Sequence, residues 1–242
     1  MSVSSKIEWT EATWNPITGC TKCSAGCQHC YAATLAKRLK AMKNIRYKNG
    51  FDVTVHKDLF SRPLEWKKPK MIFVNSMSDI FHEKISDEDI LELFATMNKA
   101  SWHIFQVLTK RPERLATLSP QIKWTRNIWM GVTVENTDSL FRVELLKQCG
   151  AKTKFISAEP LLESIAQIDL SGIDWLIVGG ESGAGYRPLN KQWIIELRDK
   201  AKDNQVPFFF KQWGGFHHSQ AGSLLDGKEY KEFPNDIRAS DV

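Results

Sequence analysis

The sequence predicts an α/β fold: a partial or complete parallel β/α barrel with a small C-terminal appendage. Three observations carry that expectation. Short runs rich in β-branched and aromatic residues recur along the chain, as strands buried on both faces require. Helical patterns with their own start signals lie between them. The chain has 242 residues, 42% hydrophobic and 25% charged, which suits one barrel of roughly 200–250 residues folded as a single domain.

The first element is a helix leaving a cysteine-rich loop. In YAATLAKRLKAMK, Tyr31, Leu35, Leu39 and Met42 recur at helical spacing with basic residues between them. The stretch 44–70 mixes its signals and reads as a long ordered insertion. The strand runs follow: Met71 to Asn75, His103 to Thr109, Ile128 to Val134, Lys154 to Ala158, Trp175 to Gly180 and Pro207 to Trp213. Ser86 precedes an acid-led helical pattern, and Pro112 stands at a first helical position. Asp138 precedes SLFRVELLKQC, which Gly150 ends, and Asn190 precedes KQWIIELRDKAK. Residues 1–215 therefore read as the barrel and 216–242 as an extension, with a hairpin turn at Asp226 and Gly227.

Basic residues number 33 against 28 acidic, a net charge of +5 that permits a polyanionic partner without demanding one. The segment MSVSSKIEWTEATW has no apolar core of a signal peptide, and no run reaches the roughly 18 residues of a membrane span. A cytoplasmic protein without membrane contact is expected. In that reducing setting, clustered cysteines point to metal binding or redox chemistry and away from structural disulfides.

The strand ends are polar. Asn75, Ser76, Ser78 and Asp79 follow the first run; Lys110 and Arg111, Glu135 and Asn136, Glu159, Glu181 and Ser182, and Lys211 and Gln212 follow the others. In parallel barrels this rim builds the active site. Helix caps and first-turn acids are the alternative reason for polar residues there. Lys110, Arg111 and Lys211 are candidates to clamp an anion. The run IVGGESGAG matches neither nucleotide-binding glycine pattern; its glycines are expected to let backbone approach a ligand, with Glu181 beside it. HEKIS at His82 is not a zinc-hydrolase motif, His29 reads as a loop-surface residue, and Cys149 reads as a buried thiol. Trp14 and Trp213 are expected to flank the pocket.

Cys20, Cys23, Cys27 and Cys30 read C-x2-C-x3-C-x2-C. Zinc ribbons usually separate their two pairs by about 12–20 residues, whereas three intervene here. An iron-sulfur cluster takes closely spaced thiolates, because each iron holds one cysteine. The spacing favours a cluster and leaves structural zinc as the alternative.

CSAGCQHC has the C-x3-C-x2-C spacing associated with the radical S-adenosylmethionine superfamily. WNPITGC, GCQHCYA, FVNSMSDIFHE, FQVLTKRPERL, GVTVEN, SAEPLL, IDWLIVGGESG and FFFKQWG, spanning Trp14 to Gly214, resemble its phage-associated three-Cys-motif branch. The resemblance implies a 4Fe-4S cluster held by three cysteines, with its open iron chelating S-adenosylmethionine and cleaving it to a 5'-deoxyadenosyl radical. The spacing of the branch, C-x6-C-x2-C, selects Cys20, Cys27 and Cys30, whereas the superfamily spacing selects Cys23, Cys27 and Cys30. Cys20 is the preferred third ligand, and Cys23 is then spare or closes the cluster when no nucleotide is bound.

By the same resemblance, Ser76, Ser78 and Asp79 grip the amino group and Glu135 and Asn136 take ribose hydroxyls. A flavodoxin or ferredoxin is the implied electron donor. The substrate is open, with a nucleic acid or nucleotide as the candidate class. The rival expectation is a non-enzymatic barrel whose zinc or closed cluster is structural and which binds nucleic acid or a protein.

Overall fold

Every apolar run singled out in the sequence becomes a strand, and three further strands precede them. In the computed structural model, which describes residues 5, 7–216 and 222–234, these three are β1 (Ala12–Trp14), β2 (Ile17–Thr18) and β3 (Thr54–Val55). The six expected strands are β4 (Met71–Val74), β5 (Ile104–Thr109), β6 (Ile128–Thr133), β7 (Thr153–Ala158), β8 (Trp175–Gly179) and β9 (Phe208–Gln212). β1 and β4 to β9 form one seven-stranded sheet in chain order, each neighbour parallel to the last. The sheet curls into an open half-barrel, so the partial barrel is the form adopted. β1 is only three residues long, too short for its alternation to stand out in the sequence. β2 and β3 pair antiparallel as a separate ribbon inside the 44–70 insertion and the segment before the cysteines.

Among the described residues the α-helices are α1 (Tyr31–Ala41), α2 (Asp87–Lys99), α3 (Pro112–Leu118), α4 (Phe141–Lys147) and α5 (Lys191–Asp203). Ser86 and Asn190 cap as expected, accepting from the backbone N–H groups of Asp89 and Gln192. Three expectations need correction. Asp138 is not a cap: Asn136 starts a 3-10 turn in a reciprocal capping box with Ser139, and α4 begins only at Phe141. Strand and helix do not alternate throughout, because the β7–β8 crossover has no helix. There Leu161, Ile165, Ile168, Leu170 and Ile173 are buried from an irregular backbone. In α1 the buried residues are Ala32 and Ala36, whose small side chains allow close approach, while Tyr31, Leu35 and Met42 stay exposed.

Two apolar layers follow from the period-two alternation of the strands. One face of the sheet packs against residues from the helices, including Phe94 of α2, Leu115 of α3, Leu146 of α4 and Leu197 of α5. The inner face of the curl holds Phe73, Ile104, Trp129, Phe155, Trp175, Ile177 and Phe209, and Trp9 fills the space between them. Trp9 packs edge-on to Phe73 and Trp175, with ring centroids 4.7 and 6.3 Å away. Trp14, expected beside a pocket, is wholly buried in the helix-side core and donates to the Leu59 carbonyl. Trp213 lies partly buried against that core.

The C-terminal extension is tied into the sheet. Leu225 and Lys228 exchange backbone bonds of 2.9 and 3.1 Å around Asp226 and Gly227, whose φ values of 52° and 77° suit a two-residue hairpin turn. Beyond the turn, Lys231 pairs antiparallel with Phe209 along the outer edge of β9. Residues 217–221 and 235–242 of the expected extension lie outside the described residues. Among the described residues, no helix is long and apolar enough to cross a membrane.

Candidate metal centre

The cysteine loop lies between β2 and α1, over the ends of the parallel strands. Each of the four acids at those strand ends carries a basic partner. Asp79 pairs with Arg111 at 3.3 Å, Glu135 with Arg142 at 2.8 Å, Glu159 with Lys211 at 2.9 Å and Glu181 with Arg187 at 2.6 Å. Three of these pairs also grasp the loop. Arg111 donates to the Thr21 carbonyl at 3.1 Å and approaches the Cys20 sulfur at 3.6 Å. Glu135 accepts from the Ser24 hydroxyl. Arg187 donates to the Ala25 carbonyl at 3.0 Å and to Gln28 at 3.4 Å. Charged hydrogen bonds of this kind are stronger than neutral ones, so they fix an otherwise irregular segment.

Two histidines add to the hold. His82, fully buried, meets the Thr21 hydroxyl at 2.9 Å. His29 lies against Gly185, where a β-carbon would stand 3.0 Å from its ring; Gly185 has φ 79°, a conformation glycine adopts without strain. The contribution of His82 was invisible in the sequence, where HEKIS only failed to match a motif.

The four thiols are electrostatically unequal. The Cys23 thiol donates to Cys27, and with help from Ser24 and Lys110 this lowers Cys27 to about 4, against the pull of burial. That hydrogen bond favours the thiolate form of Cys27 over that of Cys23. The same hydrogen bond, together with burial, holds Cys23 well above the usual thiol range. Burial pushes Cys20 up to about 11 although Arg111 opposes it. Cys30 caps the N-terminus of α1 and packs toward Ala32, Ala36 and Met77. Cys149 is buried far along the chain, as expected. Among the described residues, no three His, Cys, Asp or Glu side chains converge on one point, as a single tetrahedral ion would need.

The other residues named from the sequence lie at this rim, most of them already engaged. Ser76 donates to Asn15 and Ser78 to the Ile17 carbonyl. Asp79 is buried and accepts from Thr109, Phe81 and Lys110 at 2.8, 3.0 and 3.0 Å, besides Arg111. Asn136 is occupied in its capping box. Glu181 accepts three bonds from Arg187; burial works against its ionisation, but those bonds carry its carboxyl below the usual range. Lys211 is paired with Glu159, and Lys110 approaches Glu135 at 3.6 Å.

One glycine of IVGGESGAG, Gly180, has a packing purpose together with Gly214 of a later loop. Gly180 and Gly214 let two loop backbones meet, since β-carbons there would stand 2.0 Å from the Trp213 carbonyl and 2.2 Å from the Glu181 carbonyl.

Asn75 is different. It ends β4 with φ 59°, is buried, and neither its side-chain oxygen nor its nitrogen has a partner. Such orphaned amide atoms are rare in a folded interior. The Gln106 oxygen and the Trp129 nitrogen are orphaned likewise on strands β5 and β6. Next to the loop, a cavity of about 400 Å³ is lined by Cys23, Ser24, Lys110, Arg111, Asn136 and Arg142, among others.

In comparisons with known proteins, no curated protein and no solved structure matches the chain. One family does: its description reads "protein of unknown function", and its match runs over residues 4–234, nearly the whole half-barrel and its clamped cysteine loop. The chain belongs to that family, DUF5131.

Proposed function

We propose that the protein is a radical S-adenosylmethionine enzyme whose 4Fe-4S cluster is held by Cys20, Cys27 and Cys30, with Cys23 as the additional thiol. The observation that carries this reading is the seat of the cysteine loop. Three acid-cation pairs fasten it over the C-terminal rim of a parallel half-barrel, where such folds place their chemistry. The donor set suits a cluster: four thiols lie in one loop, and the hydrogen bond from Cys23 favours ionisation of Cys27. When bound, a cluster with an open iron chelates S-adenosylmethionine and passes the electron that breaks its carbon-sulfur bond.

The work of the chain is to hold, orient and exclude. Arg111, Lys110 and Arg142 place positive charge beside the thiolates, offsetting the negative charge that thiolates bring. Asn75, with a free donor and a free acceptor, takes the role of gripping the polar end of the nucleotide that Ser76, Ser78 and Asp79 are too engaged to fill. The aromatic filling around Trp9 closes the curl from below and keeps water from a reactive species.

Anaerobic reconstitution tests the reading. Expected are about four irons and four sulfides per chain, absorbance that bleaches under dithionite, and 5'-deoxyadenosine formed from S-adenosylmethionine. Colourless protein carrying stoichiometric zinc would overturn it.

A further inference from the structure

Among the acid-cation pairs at the strand ends, Glu159 with Lys211 is the one that makes no bond to the cysteine loop among the described residues. The fold does not need it as a tie either. β7, β8 and β9 are already joined by their backbone ladders. The two side chains are 13% and 22% exposed, and a pair that water reaches adds little to stability.

The backbone is nevertheless shaped to form this pair. On β9, Phe210 pairs with Val178 and Gln212 with Gly179, so Lys211 is an extra residue with no opposite on β8. Such bulges re-aim a side chain and recur beside active sites. On β8, Gly179 leaves the space between the two partners open. A β-carbon there would stand 2.7 Å from Oε1 of Glu159, the same oxygen that Nζ of Lys211 meets at 2.9 Å. The pair therefore lies across β8 on the inner face of the curl, which Phe209, two residues before Lys211, also lines.

Both members keep bonding capacity, since an ammonium has several donors and a carboxylate several acceptor positions. The Lys211 ammonium meets Glu159, and the second oxygen of Glu159 accepts from the Ser157 hydroxyl at a long 3.4 Å. Tyr31, next to Cys30 in the chain, is 55% exposed and donates its hydroxyl to the Ser76 carbonyl. Cys30 and Glu159 both lie within electrostatic reach of that phenol, so the pair and the cysteine loop share a neighbour with an open ring.

The charges define the ligand. An anion would satisfy Lys211 and repel Glu159, and a cation would do the reverse. A ligand bearing both charges on one carbon meets the two together, ammonium on Glu159 and carboxylate on Lys211, so that the four charges alternate in a ring. A free α-amino acid has that arrangement, whereas a peptide separates its terminal charges. The amino and carboxylate groups of S-adenosylmethionine are engaged elsewhere, because in the reading above the open iron takes them.

We propose that Glu159 and Lys211 bind the ammonium and carboxylate groups of a free α-amino acid, its side chain lying against Tyr31, and that this amino acid is the substrate. The binding site stands on the pair itself; its role as substrate site rests on the radical reading above.

Titration calorimetry of the full-length reconstituted protein tests the site. The probes are the standard L-amino acids, phenethylamine and 3-phenylpropionate as analogues with one charge each, and uracil as a neutral ligand with donors and acceptors on one edge. At least one amino acid is expected to bind, and the single-charge analogues of phenylalanine should bind more weakly than phenylalanine by about tenfold or more. Glu159→Gln and Lys211→Met should each weaken amino-acid binding by about tenfold or more. Lys211→Arg should keep most of it, and the melting temperature of all three variants should stay close to that of the wild type. The bound amino acid should also raise 5'-deoxyadenosine formation from S-adenosylmethionine in the wild type and not in Glu159→Gln.

Failure of every amino acid to bind would overturn the proposal, as would binding of uracil in their place or binding that survives both Glu159→Gln and Lys211→Met. Displacement of the amino acid by S-adenosylmethionine in the metal-free chain would overturn it too, by making the pair that nucleotide's own seat. An amino acid that binds to protein forming no 5'-deoxyadenosine would instead defeat the enzymatic reading and leave the binding site in place.

Discussion

Gly26 lies directly on Glu135: a β-carbon built on Gly26 would stand 2.6 Å from both Cγ and Oε1 of that side chain. Glu135 cannot swing away, because it is wholly buried and its other oxygen accepts from Arg142 at 2.8 Å. Gly26→Ala should therefore push the cysteine loop off its seat. Thermal unfolding of the metal-free protein is expected to show a loss of about 1–3 kcal/mol, the usual cost of overpacking. Iron retained after reconstitution should fall with it.

The Glu135–Arg142 pair has side chains 0% and 6% exposed, so water screens it little. Removing one partner leaves the other charge buried, and Arg142 already has an unpartnered Nε. Glu135→Ala is expected to destabilise the fold by about 3–5 kcal/mol in denaturant unfolding. A double change to Glu135→Gln with Arg142→Met should recover much of that loss, because it leaves no lone buried charge.

The thiols separate in their expected consequences. Cys27→Ser and Cys30→Ser should abolish iron binding in anaerobic reconstitution, whereas Cys23→Ser should keep a cluster in part. A Cys23 variant with no iron at all would move the third ligand from Cys20 to Cys23. In the metal-free protein, Cys27 should be the first thiol alkylated by iodoacetamide near pH 6, since the Cys23 hydrogen bond lowers it to about 4 while burial raises Cys20 to about 11.

Asn75 offers a test of binding against stability. Its left-handed backbone suits glycine, and its orphaned amide atoms add nothing to the fold. Asn75→Gly should leave the melting temperature unchanged or slightly raised, while affinity of the reconstituted protein for S-adenosylmethionine drops by about tenfold, the worth of one good hydrogen bond to a charged group. Unchanged affinity would remove Asn75 from the site.

The Glu181–Arg187 clamp sets a pH dependence. The folded carboxyl is held below its ordinary value of 4.5, so the unfolded chain takes up a proton first as acid is added. The stabilisation is complete above that ordinary value and disappears as pH falls through the depressed folded one. Glu181→Gln should show a flatter decline in melting temperature between neutral and acid pH than the wild type does.

Much of the fold was legible because its strands are buried on both faces. Runs such as WLIVG and MIFV have no polar position to confuse their reading, and Ser86 and Asn190 announce their helices chemically. β1 escaped because three residues carry no period, and the β7–β8 crossover departed from the rule because scattered aliphatic residues cover a sheet as well as a helix does. The stripe of α1 misled for a physical reason: spacing shows that apolar residues share a face, not that anything covers it. The strand-end acids were seen, but their partners were not: Arg142 and Arg187 follow their acids by only seven and six residues, and spacing does not show that the chain turns back to bring the charges together.

Alone, the sequence determined the parallel α/β architecture, the cluster of four thiols in one loop and the cationic character of the segment after it, because composition and short-range spacing are local properties. Tertiary structure decided how that loop is held, which thiol ionises and which polar side chain is left free. Some of those contacts join distant residues, as Ser24 with Glu135 and Arg111 with Thr21 do, and others join near ones, as Cys23 with Cys27 does; in either case a hydrogen bond or an ion pair exists only where the fold sets its two halves a few ångströms apart.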